Sequence, residues 1–335
     1  MSFLGNLQSS VEQAARKAGF GGLPGGATTG PTRFLDPRIL GRISDLQLIA
    51  RSVVEGFLTG LHRSPFTGVS IEFAEYRLYT PGDDPRSIDW NVYARSDRHY
   101  QKKYHGETNT ELTILLDVSA SMGFGGNYKN VNGAEDAPAI SKYEYGCYLA
   151  ASLAYFASQQ RDATGLILFD SEIRERIPAR MRRGQLPRIL HALDNAKPGQ
   201  TTDLAGALDK LAGMLHRRGV IVLISDFYEQ PEKISDSLQR LRFGGNDLVL
   251  FHLMDPLELE FNLDEPVLLE DLETGDRMEV NPEYAGPQYR KLIEEHIGRI
   301  GQDARSARID YELVPTSRPL DYALFHYLSA RQRRG

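Results

Sequence analysis

The chain has 335 residues, 41% of them hydrophobic and 25% charged, with a formal net charge of -6. These are the proportions of a soluble globular protein with room for one large or two ordinary domains. The acidic balance argues against a general nucleic-acid binder. No apolar run approaches the roughly 20 residues that span a bilayer, and residues 1–20 lack the basic head and apolar core of a Sec-type signal. A cytoplasmic protein without a membrane span is therefore expected.

Residues 1–38 read as a flexible tail, because GFGGLPGGATTGPTRF is too rich in Gly, Pro and Thr to bury much apolar surface. Phe3, Leu4, Leu7 and Val11 stand at near-helical spacing, which fits a frayed terminus better than a docking helix. Residues 39–110 form the next unit. Its periodicity predicts a helix over 42–62 with Ser44 as cap. Short alternating runs then predict strands near 69–74 and 99–108 around an irregular centre.

From residue 111 the pattern changes to strands alternating with helices. Strands are expected at 111–117, 164–169, 220–225 and 247–253. Helices are expected at 140–160, 185–195, 203–216 and 232–242, the third capped by Thr201, Thr202 or Asp203. A hairpin arm carrying Ile173 and Ile177 follows the second strand. The alternation predicts an α/β core over 111–254, with a parallel sheet covered by helices on both faces. The acidic residues 255–284 look extended and lie outside the main sheet. Together with 66–110 they are expected to pair into a small β-rich subdomain. Residues 285–335 return to the core as helix 285–307, strand 310–314 and helix 319–331.

The single cysteine, Cys147, excludes an internal disulfide framework. Its setting, KYEYGCYLAASLAYFA, suits a small packed residue better than a nucleophile. Arg180, Arg182 and Arg183, and near the end Arg331, Arg333 and Arg334, read as solvated charge.

The most informative stretch is ELTILLDVSASM, residues 111–122. An apolar run ends in Asp117, and Ser119 and Ser121 follow at alternate positions. In an open α/β sheet this places them at the carboxyl edge, where such folds bind ligands. One carboxylate and two hydroxyls offer hard oxygens, which suit Mg²⁺ or Mn²⁺. Asp and Ser are also common in plain turns. Two further segments extend the set: GQTTDLAGALDKL (199–211) supplies a Thr, and GVIVLISDF (219–227) ends in Ser225-Asp226.

Asp117, Ser119, Ser121, a Thr and Asp226 in this order resemble the metal-ion-dependent adhesion site of von Willebrand factor A domains. In that family the Thr lies six residues before an aliphatic residue, and Thr202 with Leu208 fits this better than Thr201. The resemblance implies a Rossmann-like parallel sheet. It also implies that Ser119, Ser121 and Thr202 ligate the metal directly, and Asp117 and Asp226 directly or through water. A partner's Asp or Glu would complete the shell. The Gly/Asn-rich loop 123–139 adjoins this edge, either as binding surface or as an insertion without a role.

A second segment, EFAEYRLYTPGDDPRSIDWNVYARS (72–96), carries Glu75, Arg77, Tyr79, Pro81, Gly82, Asp83, Asp84, Arg86, Ile88, Asp89 and Trp90. With LLDVSASM downstream it resembles the family called domain of unknown function fifty-eight, over about 43–330. That resemblance implies an adaptor or co-chaperone of a MoxR-type AAA+ ATPase. Many relatives carry two N-terminal spans that this chain does not show. The interleaved Asp83, Asp84, Asp89, Arg77, Arg86 and Arg95 suit an ion-pair network, or a partner-binding acid cluster.

An enzyme is not expected. Ser119 and Ser121 lack a Gly-x-Ser-x-Gly elbow, and the eight His residues form no metal-type pair. An aspartyl phosphotransferase would need a second Asp where Ser119 stands. No Walker loop is present. The alternatives to a metal-dependent protein-interaction module are a scaffold without metal and a metal-dependent phosphohydrolase.

Overall fold

A computed structural model describes residues 45–63, 75–78, 100–103, 111–125, 140–199, 203–215, 218–261, 263, 266–272 and 275–332. The centre is a six-stranded sheet of β3 (Glu111–Asp117), β4 (Ala163–Phe169), β5 (Ile173–Arg180), β6 (Gly219–Ser225), β7 (Asp247–Met254) and β10 (Asp310–Pro315). Its order is β10-β7-β6-β3-β4-β5. All neighbours are parallel except β5, which returns antiparallel to β4. β3, β4 and β6 are buried along all but their first residue. This is why they read as unbroken apolar runs and not as alternating ones.

Two helical layers cover the sheet. One contains α1 (Leu46–Arg63), α2 (Lys142–Gln159), α3 (Gln185–Asn195) and α8 (Leu320–Gln332), which share one apolar core with one face of the sheet. The other contains α4 (Leu204–Ala212), α5 (Pro231–Phe243) and α7 (Pro282–Ser306) over the opposite face. This is the mixed α/β architecture, a mostly parallel sheet flanked by helices, that the alternation predicted.

α2 is the most deeply buried helix. A capping box starts it: Ser141 Oγ accepts from the Glu144 amide, and Glu144 Oε2 accepts from the Ser141 amide at 2.9 Å. Gly146 lets the helix lie close on the sheet. A Cβ there would stand 2.8 Å from Leu116 Cδ1, nearer than packed carbons allow.

Several local expectations change. The cap of α1 within the described residues is Asp45, whose Oδ1 accepts from the Gln47 and Leu48 amides; Ser44 lies outside them. Residues 69–74 also lie outside. The described strands are β1 (Glu75–Leu78) and β2 (Tyr100–Lys103), paired antiparallel. Residues 256–260 are helical and not extended: α6 (Pro256–Glu260) has Asp255 as cap, Pro at its start and Glu258 closing a capping box. These are helix-start signals that outweigh the extended look of the sequence. β8 (Val267–Glu270) and β9 (Arg277–Val280) then form their own hairpin. Among the described residues, β1-β2 and β8-β9 are separate two-stranded sheets outside the main one. The tail 1–38, the Pro81–Trp90 stretch and loop residues 126–139 lie outside the described residues.

Candidate functional site

β3 and β6 are adjacent, but the chain leaves β3 toward β4 on one side and β6 toward β7 on the other. Their carboxyl ends therefore flank a topological switch point, where open α/β sheets hold ligands. Asp117 and Asp226 stand there, both fully buried.

Asp117 is firmly held. Its Oδ2 accepts the Ser225 hydroxyl at 2.6 Å, and its Oδ1 accepts the Ser119 amide at 2.9 Å. Ser225 Oγ also accepts the Phe227 amide at 2.9 Å. Ser119 Oγ and Ser121 Oγ lie 3.1 Å apart, one buried and one half-buried. Burial first, and the negative charge of Asp226 second, hold the Asp117 carboxyl well above its ordinary pKa, against the hydrogen bonds from Ser225 and Ser119. Two buried carboxylates that repel each other, beside two hydroxyls, make a site that a cation would relieve. Among the described residues, no group of three or more His, Cys, Asp or Glu is placed to hold a metal. The donor set fits a divalent ion only if hydroxyls take part, as the sequence implied. Thr202 lies outside the described residues; Asp203 caps α4 through the Gly206 amide at 2.9 Å.

Sequence reasoning missed the cation already present. Lys142 opens α2, yet its side chain is fully buried, with Nζ 2.8 Å from Asp226 Oδ2 and 2.6 Å from Glu258 Oε1. The Tyr228 ring centroid is 4.6 Å away. Burial alone would lower the Lys142 pKa, but the charges of Asp226 and Glu258 outweigh it and leave it raised. For Glu258 burial wins and raises the pKa despite Lys142. We read the group as ionised, because Glu258 also accepts the Asp255 amide at 2.8 Å, which favours the carboxylate. The neighbouring His252 is fully buried, with its Nδ1 2.8 Å from the Tyr311 hydroxyl.

Residues 75–299 match the family described as protein of unknown function DUF58. The chain belongs to this family. The DUF58 chain is 28% identical over 243 residues to uncharacterized protein Rv1480 of Mycobacterium tuberculosis, covering 72% of this chain and 73% of that protein. Among solved structures it is similar to an aerotolerance-related membrane protein from Bacteroides fragilis (16% identity, TM-score 0.45, covering 67% of this chain and 99% of that one). It is also similar to the SpRpn10 VWA domain (12% identity, TM-score 0.34, covering 64% and 93%).

The cytoplasmic expectation is corrected. A neighbour named as a membrane protein points away from it, and the lack of an apolar run was a poor guide to location. No described helix is long and apolar enough to cross a membrane.

Proposed function

We propose that the DUF58 chain is a non-enzymatic, metal-dependent protein-interaction module. Its carboxyl edge holds Mg²⁺ or Mn²⁺, and a partner's Asp or Glu completes the metal's shell. The partner is a MoxR-type AAA+ ATPase, for which this chain serves as adaptor or co-chaperone, or a client protein delivered to it. The observation that carries the reading is the convergence of Asp117, Ser119, Ser121 and Asp226 at one switch point. Ser119 and Ser121 supply neutral oxygens, while Asp117 and Asp226 supply charge. Ser225 and the Ser119 amide fix Asp117 in place, so little ordering is needed when a cation arrives. Each serine hydroxyl lies against the other and not against a described histidine, which supports recognition over nucleophilic chemistry.

The test is capture of a MoxR-type ATPase by the purified chain in Mg²⁺ and in chelator, together with thermal denaturation under both conditions. Metal-dependent capture that disappears in Asp117→Ala supports the reading. Capture and melting that ignore the metal would count decisively against it.

A further inference from the structure

Lys142 is a costly residue in its position. Removing an ammonium from water costs several kcal/mol, and a buried ion pair often stabilises no better than apolar residues of the same volume. Here the ammonium sits between Asp226 and Glu258, at 2.8 Å and 2.6 Å, with no exposed surface. It meets Asp226 through Oδ2, while Asp226 Oδ1 faces the Tyr228 amide at 3.5 Å. Any cation drawn to Asp117 and Asp226 therefore approaches a carboxylate already committed to a positive charge. Among the described residues, Glu258 is the other carboxylate within salt-bridge distance of that ammonium, and it reaches it from α6.

Two cations competing for one carboxylate repel each other, and the repulsion is large where water is excluded. We propose that Lys142 and Glu258 act as positioning residues that set the divalent-cation affinity of the Asp117–Asp226 site in opposite directions. The ammonium weakens binding by occupying Asp226, and Glu258 restores it by drawing the ammonium toward α6. The inference rests on the metal reading above and extends it to residues that do not touch the metal.

The experiment is calorimetric titration of the full chain with MgCl₂ and with MnCl₂, for the wild type, Lys142→Met and Glu258→Gln. Met matches the length of Lys and removes the charge. Gln keeps the volume of Glu and still accepts the Asp255 amide. Lys142→Met is expected to bind about tenfold tighter, and Glu258→Gln about fivefold weaker. A merely structural role would lower the melting temperature of both variants without moving affinity in opposite senses. Affinity unchanged or moved the same way in both overturns the inference. Where Lys142→Met does not fold, Glu258→Gln decides alone: weaker binding supports the inference, and unchanged or tighter binding overturns it. A wild-type chain that binds neither metal overturns the metal reading and this inference with it, whereas metal binding indifferent to Glu258→Gln overturns this inference only.

Discussion

The hydroxyl of Ser225 donates to Asp117 Oδ2 at 2.6 Å across two adjacent parallel strands, joining residues 108 apart in sequence. Ser225 Oγ also accepts the Phe227 amide, so one side chain holds both the carboxylate and the turn that carries Asp226. Ser225→Ala removes a hydrogen bond to a buried carboxyl group, worth about 1–3 kcal/mol. Urea unfolding of the variant should show a loss of that size. Divalent-ion affinity should fall with it, because Asp117 is freed to rotate.

Saturating Mg²⁺ or Mn²⁺ should raise the stability of the wild type. At a hundredfold excess over the dissociation constant the gain is about 2.7 kcal/mol. Scanning fluorimetry in chelator and in metal should show it as a rise of several degrees. Asp117→Ala should melt at the same temperature in both.

Acid should weaken the fold through His252. Burial first, and then the nearby His296, lower its pKa to about 3, with Asp226 pulling the other way and Lys142 adding to the depression. The unfolded chain binds this proton near the ordinary value of about 6.5. The contribution is therefore intact above pH 6.5 and declines as the pH falls toward 3, at up to about 1.4 kcal/mol per pH unit. Urea midpoints measured from pH 7.5 to 5 should drop more steeply for the wild type than for His252→Gln. Parallel curves would refute the assignment.

Arg331 is not the solvated charge its sequence context suggests. Its Nη1 lies 2.6 Å from Asp162 Oδ2, with that carboxylate 3% exposed and the arginine side chain 20% exposed. Burial raises the Asp162 pKa, against the pull of Arg331. Arg331→Met leaves the carboxylate unpaired and should cost about 2–3 kcal/mol, below the loss for a fully buried pair. Equilibrium denaturation measures it, and Asp162→Asn in the same background should recover part of the loss. Arg180, Arg182 and Arg183 are exposed, as their sequence implied.

What the sequence disclosed depended on how local each signal was. β3 and β6 each carry an uninterrupted apolar run closed by a carboxylate, so Asp117 and Asp226 could be assigned to the same sheet edge from the chain alone. Cys147 reads correctly as a buried packing residue, and burial pushes its thiol up to about 12. Lys142 gave no local sign. It follows a helix cap in a polar context, and its partners lie 84 and 116 residues away. Nothing short of the tertiary fold brings them together. Glu258 was legible in part: Asp255 and Glu258 stand at capping-box spacing after Met254, which marks a helix start. The acidic composition of that stretch concealed it. Arg331 follows the Lys142 pattern, with its partner 169 residues away.

The antiparallel strand β5 closes one border of the main sheet, and it bears Arg174, Glu175 and Arg176 on exposed positions. Pro178, also exposed, has no amide hydrogen to offer a neighbouring strand. Charges and a missing donor deter another chain from adding itself there. Self-assembly by strand extension is thereby discouraged along this border, and a second molecule must find its foothold on loops or helices instead.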